Sequence, residues 1–117
     1  MNEKQKIGKR GEDMAASFFI KQGYEIVERN WRCRFGEIDL VAKKGDEWRF
    51  VEVKMRQSSA FGYPEEAVTA TKREHLFKAI EIYSQTRGLL PRQIHADVLA
   101  MILNDTDFDV RWLRDGI

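Results

Sequence analysis

The segment Phe50-Val51-Glu52-Val53-Lys54 puts a carboxylate and an amine into a run that otherwise reads as a strand. Strand side chains alternate between faces, so Phe50, Glu52 and Lys54 share one face and Val51, Val53 and Met55 the other. Acids and lysines are depleted in strands, and such conflicts with local propensity concentrate at functional sites. A second conflict lies upstream, in Gly36-Glu37-Ile38-Asp39-Leu40-Val41-Ala42. Regular alternation there predicts Glu37, Asp39 and Val41 on one face, with Ile38, Leu40 and Ala42 on the other.

Register decides whether the two acidic strands meet. The turn between them falls at Lys43 to Glu47, centred on Gly45-Asp46. A two-residue or a four-residue loop gives one and the same register, which sets Asp39 opposite Glu52. An odd loop would set Asp39 against Val51 unless a bulge intervened. Facing carboxylates repel by roughly 0.2–1 kcal/mol when exposed, and by more when desolvated. A divalent cation turns that repulsion into attraction, and one or two carboxylates suit magnesium.

The chain has 117 residues, which predicts a single domain, 1–117, with one core. Hydrophobic residues make up 43% and charged residues 33%, a globular rather than a disordered balance. The net charge of +1 gives no global sign of a nucleic-acid partner. Locally, Lys4, Lys6, Lys9 and Arg10 crowd the N-terminus, and Arg29, Arg32 and Arg34 precede the Gly36 strand. A solvated charged face explains either cluster taken alone. Cys33 is the single cysteine, which excludes an intrachain disulfide and fits a reducing compartment. The longest apolar run, Met14 to Ile20, is too short for a bilayer, and the charged N-terminus does not resemble a signal peptide. A cytoplasmic protein without a membrane partner is expected.

Helical spacing of Ile7, Gly11, Met14, Ala15 and Phe18 predicts a helix from Glu3 to Gln22, stopped by Gly23. A strand from Tyr24 to Asn30 and the two acidic strands follow. Gln57 to Tyr63 reads as a loop, with a short helical turn from Pro64 to Val68. Thr71-Lys72-Arg73-Glu74 has the capping-box pattern, opening a helix that buries Leu76, Ala79, Ile80 and Tyr83 and ends at Gly88 and Pro91. Two more strands, Ile94 to Ile102 and Phe108 to Leu113, complete an α-β-β-β-α-β-β order. The fold class is α/β, with a mixed sheet.

These pieces resemble the core of the PD-(D/E)XK nucleases, the superfamily of many restriction enzymes and Holliday-junction resolvases. Within it, the chain is most similar to the bacterial YraN-like proteins. The matching residues are Gly11-Glu12, Asn30, Gly36 to Ala42, Phe50 to Lys54 with Arg56, Gly62 and Lys72. Acid-x-Lys alone is common by chance; its combination with the upstream acidic strand and Gly11-Glu12 is specific. The resemblance implies a restriction-endonuclease-like fold and metal-dependent hydrolysis of DNA, branched or damaged DNA being the implied substrate. It implies that Asp39 and Glu52 hold Mg2+ or Mn2+, with the Val53 carbonyl a third ligand and Glu12 reaching the ion directly or through water. It gives Lys54 the task of orienting and deprotonating the attacking water or neutralising the phosphate. Lys9, Arg10, Arg34, Arg56 and Lys72 are the candidate nucleic-acid contacts, and dimerisation, common among resolvases, stays open. In one departure, His95-Ala96-Asp97 stands where those proteins usually carry Arg-Phe-Asp, which puts any pairing made by that arginine in doubt.

Each residue also has a plainer reading. Glu52 and Lys54 alone read as a solvent-facing pair worth about 0–1 kcal/mol; Asp39 and Glu37 on the same face argue against that. Glu12 alone is a surface acid, and Glu37 reads either as an acid that supports the site from behind its ligands or as a merely solvated one. Lys72 opposes its helix dipole, a conflict that a phosphate would relieve, yet an ordinary surface lysine reads equally well. Arg56 reads as a phosphate contact or a surface arginine. His75 reads as filler beside an apolar stripe, and neither histidine supports zinc. Trp31, Trp48 and Trp112 are assigned to packing rather than to base stacking. No Gly-rich phosphate loop or Gly-x-Ser-x-Gly elbow occurs. The rivals to a nuclease are a nucleic-acid-binding domain without cleavage, which the modest net charge favours slightly, and a protein-interaction subunit.

Overall fold

The computed structural model describes residues 1–57, 68–105 and 107–117, except for the side chain of Lys4. Helix α1 spans Glu3–Lys21, followed by strands β1 Glu25–Cys33, β2 Gly36–Lys44 and β3 Glu47–Arg56. Helix α2 spans Ala70–Arg87, a 3-10 turn Pro91–Gln93 follows, and β4 Ile94–Asn104 and β5 Asp107–Leu113 end the chain. The order is the predicted α-β-β-β-α-β-β. The turn expected from Pro64 to Val68 and most of the Gln57–Tyr63 loop lie outside the described residues.

The five strands form one mixed sheet in the order β1-β2-β3-β4-β5. All neighbours are antiparallel except β3 and β4, which run parallel. A parallel pair needs a crossover, and α2 provides it. The helices cover opposite faces. On one, Ala15, Ala16 and Phe19 of α1 pack on Leu40, Ala42, Val51, Leu99 and Met101. On the other, Leu76, Ala79, Ile80 and Tyr83 of α2 pack on Ile38, Val41, Trp48 and Phe50. The predicted α2 stripe is therefore the buried one. In α1 the stripe is met in part: Gly11 and Ala15 are buried as expected, Met14 is 38% exposed, and Ala16 and Phe19 join the core. The three tryptophans pack as expected, Trp48 within the core and Trp31 and Trp112 against its margins.

Local chemistry accounts for the element ends. Asn2 caps α1 through a reciprocal box with Gln5, and Gly23, at φ 93, stops it in the left-handed region. The cap of α2 is Thr69, whose hydroxyl accepts from the Lys72 amide at 3.2 Å. The Thr71–Glu74 box is thus corrected: Thr71 lies inside the helix, because the chain enters helical geometry at Ala70. Gly88, at φ 68, ends α2 as expected.

Between β2 and β3 the ladder runs from Lys44↔Glu47 to Leu40↔Val51, closed by a two-residue Gly45-Asp46 turn with Gly45 at φ 60. One step further this register sets Asp39 opposite Glu52, but the ladder ends first. From Ile38 to Gly36, β2 stays paired with β1, while β3 from Glu52 to Arg56 stays paired with β4. The two central strands therefore part in a fork, with Asp39 at its crotch.

Alternation in β2 breaks at the same place. Ile38 packs under α2 while Leu40 and Ala42 pack under α1, so the predicted shared face of Ile38, Leu40 and Ala42 is wrong. The cause lies partly in β1. Ile38 pairs with Trp31 on the α2 side, Leu40 pairs with Arg29, and Arg29 reaches Asp13 of α1 at 2.8 Å. Between Arg29 and Trp31 stands Asn30 at φ 53, a left-handed value that asparagine tolerates better than most residues. This kink lets neighbouring side chains change faces across both strands.

A polar network is buried at the far end of β3. Arg49 is 2% exposed and its Nη1 donates to both Asp97 oxygens, at 3.0 and 3.1 Å. Asp97 also accepts from Trp112 Nε1 and from the Asp115 amide, each at 2.8 Å. Tyr24 and Glu47 are further partners of the arginine, each 3.2 Å from Nε. His95, standing where an arginine was expected, keeps an acid partner: its Nδ1 lies 2.8 Å from Asp115 Oδ1.

Candidate functional site

The fork opens into a cavity of about 210 Å³ lined by Gly36, Glu37, Asp39, Glu52, Lys54 and, from the α2 side, Val68, Lys72, His75 and Leu76. Phe50 and Glu52 lie on the α2 face of β3 as alternation requires, and the strand's departure from β2 leaves Glu52 and Lys54 room to turn inward. Asp39 Oδ2 accepts from the Val53 amide at 2.8 Å, so the carboxylate takes over an amide that the ladder would otherwise pair. Lys54 Nζ lies 3.0 Å from Glu52 Oε1, with the two side chains 22% and 18% exposed.

The electrostatics follow from that crowding. Burial and then the Glu52 charge push the Asp39 carboxyl up to about 7; Glu37 adds to the rise, while the Val53 hydrogen bond and Lys54 oppose it. An acid held up in this way is relieved by a cation or by a proton. The donors suit a hard dication: two carboxylates, with water completing the shell, is the manner in which magnesium is usually held. Among the described residues no three His, Cys, Asp or Glu side chains converge to hold a metal, so the fit is to a largely hydrated ion.

Of the predicted site residues, the structure brings Asp39, Glu52, Lys54 and Lys72 to one cavity. Val53 contributes its amide, bonded to Asp39. Glu12 is half-buried on α1, across the sheet from α2, and is not among the described residues that line the cavity. It follows Gly11, where α1 crosses β3 so closely that a Cβ would fall 1.5 Å from Met55 Sδ. The other proposed contacts are dispersed. Lys9 pairs with Asp13 at 3.5 Å, Arg10 lies over the Phe108 ring and Arg34 over Phe35. Arg56 lines a separate cavity with Ile7, Met55 and Gln57.

His75 was the residue missed. It is exposed and lines the cavity rather than filling the core, and its position three residues after Lys72 on one helix was the available signal. Glu37, left between two readings, also lines the cavity while its Oε2 lies 3.6 Å from Arg32 Nε.

Fold and site define a small α/β protein with an acidic cavity where two central strands divide. The chain belongs to the family described as "Uncharacterised protein family UPF0102", whose family model matches residues 11–110. A UPF0102 protein of Caldicellulosiruptor saccharolyticus is 44% identical over 101 residues, 86% of each chain. One from Dictyoglomus turgidum is 40% identical over 112 residues, covering 96% of this chain and 94% of its own. Another, from Syntrophus aciditrophicus, is 40% identical over 116 residues, 99% of this chain and 91% of its own. Among the described residues no helix is long and apolar enough to cross a membrane.

Proposed function

We propose that this chain is a metal-dependent nuclease of the PD-(D/E)XK kind, hydrolysing phosphodiester bonds in DNA. The observation that carries the reading is the fork itself, which puts Asp39, Glu52 and Lys54 at one cavity while the Val53 amide fixes Asp39. Asp39 and Glu52 would hold Mg2+ or Mn2+, which when bound supplies charge neutralisation at the phosphate and a more acidic water. The anchored Asp39 holds its donor atoms in place before any ion arrives. Lys54, engaged with Glu52 at 3.0 Å, is placed to stabilise negative charge developing on the phosphate. Branched or damaged DNA is the substrate class proposed, by likeness to the resolvases.

The test is cleavage of linear, nicked, flapped and four-way DNA in magnesium and in manganese. The native chain should cut at least one of these. Asp39→Ala, Glu52→Ala and Lys54→Ala should each lower the rate by about 10²-fold or more. The net charge of +1 favours one alternative, a nucleic-acid-binding domain without catalysis. Salt-sensitive DNA binding with no cleavage in either metal would establish that alternative and overturn the nuclease.

A further inference from the structure

The cavity has two chemically different sides. Its floor is acidic, made of Glu37, Asp39 and Glu52. Its wall is α2, where Lys72 and His75 stand on one side of the helix with Leu76 and Val68 beside them. A cation needed only to balance the floor would pair with it, as Lys54 does at 3.0 Å. Lys72 and His75 do not: both are exposed, and among the described residues neither side chain has a hydrogen bond, ion pair or ring contact. Both line the same cavity as the carboxylates, on its α2 side. The intervening space of about 210 Å³ has room for a tetrahedral anion beside a hydrated ion. The helix end itself is already satisfied, since the Thr69 hydroxyl holds the Lys72 amide. Two residues with side-chain donors, Lys72 and His75, line the space on its helix side.

Building on the nuclease reading, we infer that Lys72 and His75 form a phosphate clamp that grips the nucleic-acid backbone opposite the acidic floor, without regard to base identity. An ammonium and an imidazole N–H both donate to phosphate oxygens, and most protein–DNA hydrogen bonds go to phosphate and sugar. The backbone then lies between α2 and the fork, its bridging phosphate presented to Lys54 from the wall side. Recognition of this kind depends on salt and is indifferent to sequence.

The experiment is fluorescence anisotropy with labelled DNA of two unrelated sequences, over a salt series, with calcium as the dication, and cleavage is followed on parallel samples in magnesium. Lys72→Ala should lower the slope of log affinity against log salt by roughly one phosphate contact, about 0.9. Lys72→Ala/His75→Ala should weaken both sequences by the same factor, about tenfold or more. His75→Gln, which keeps an N–H donor, should recover most of what His75→Ala loses. Lys78→Ala, a lysine of the same helix that pairs with Glu74 at 3.5 Å, should leave the slope unchanged. A double variant that melts like the native chain and binds with its slope and affinity would overturn the clamp, as would a loss confined to one sequence. If the native chain neither binds nor cuts DNA, the nuclease reading fails; if it does both and the double variant matches it, the clamp alone fails.

Discussion

Asp39 keeps its proton where an ordinary aspartate has lost it. Its folded value of about 7 stands above the unfolded value near 3.9 because burial and Glu52 disfavour the charge. Between those values the folded chain binds a proton that the unfolded chain has released. The associated stability is therefore fully present below about pH 4 and is lost as pH rises through about 7. Asp39→Asn should abolish this part of the pH dependence and melt higher than the native chain at pH 8, since an amide oxygen can still accept from Val53. Magnesium should raise the melting temperature of the native chain more at pH 8 than at pH 5.5, because it competes with the proton for the same oxygens. Calorimetric melts of both proteins over this range decide the matter. An unchanged pH slope in Asp39→Asn would mean that the carboxylate is ionised throughout.

Among the elements, the β2–β3 hairpin was the most legible in sequence, because Gly45-Asp46 marks the turn and its two-residue and four-residue loops share one register, the one observed. What the sequence did not disclose is where pairing stops. Ile38, Leu40 and Ala42 alternate faultlessly on paper, while the neighbouring strand carries a left-handed Asn30 and a register shift between Ile26 and Glu28. A local period cannot register a kink imposed from across a sheet. The cap of α2 was misplaced for the opposite reason: two threonines lie two residues apart, and the Thr71–Glu74 spacing was the more familiar signal. Thr69→Ala should cost about 1 kcal/mol in chemical denaturation. Thr71→Ala, inside the helix, should cost much less. A reversed order of the two would return the cap to Thr71.

At the scale of the molecule, the acids of the site were readable because they violate strand propensity in a short window. The Arg49–Asp97 network was not, since its members come from the residue before β1, from β3 and β4, and from the residues in and after β5. Alternation alone already put Arg49 on the face of Val51 and Val53; what it could not supply was Asp97, 48 positions away in the sequence. Removing one partner leaves the other charged and out of water, so Asp97→Asn and Arg49→Met should each destabilise the fold by about 3–5 kcal/mol. The double substitution Arg49→Met/Asp97→Leu should cost less than the sum of the two single replacements. Urea titrations of these variants would measure it, and full additivity would count against direct coupling.

The division of the central strands has one more consequence. Glu52 pairs with Val98 of β4, and Asp39 lies between Ile38 and Leu40, both paired with β1, so neither acid stands on a loop. Ordering these oxygens is thus completed when the chain folds, and a ligand arriving there has little backbone entropy left to freeze.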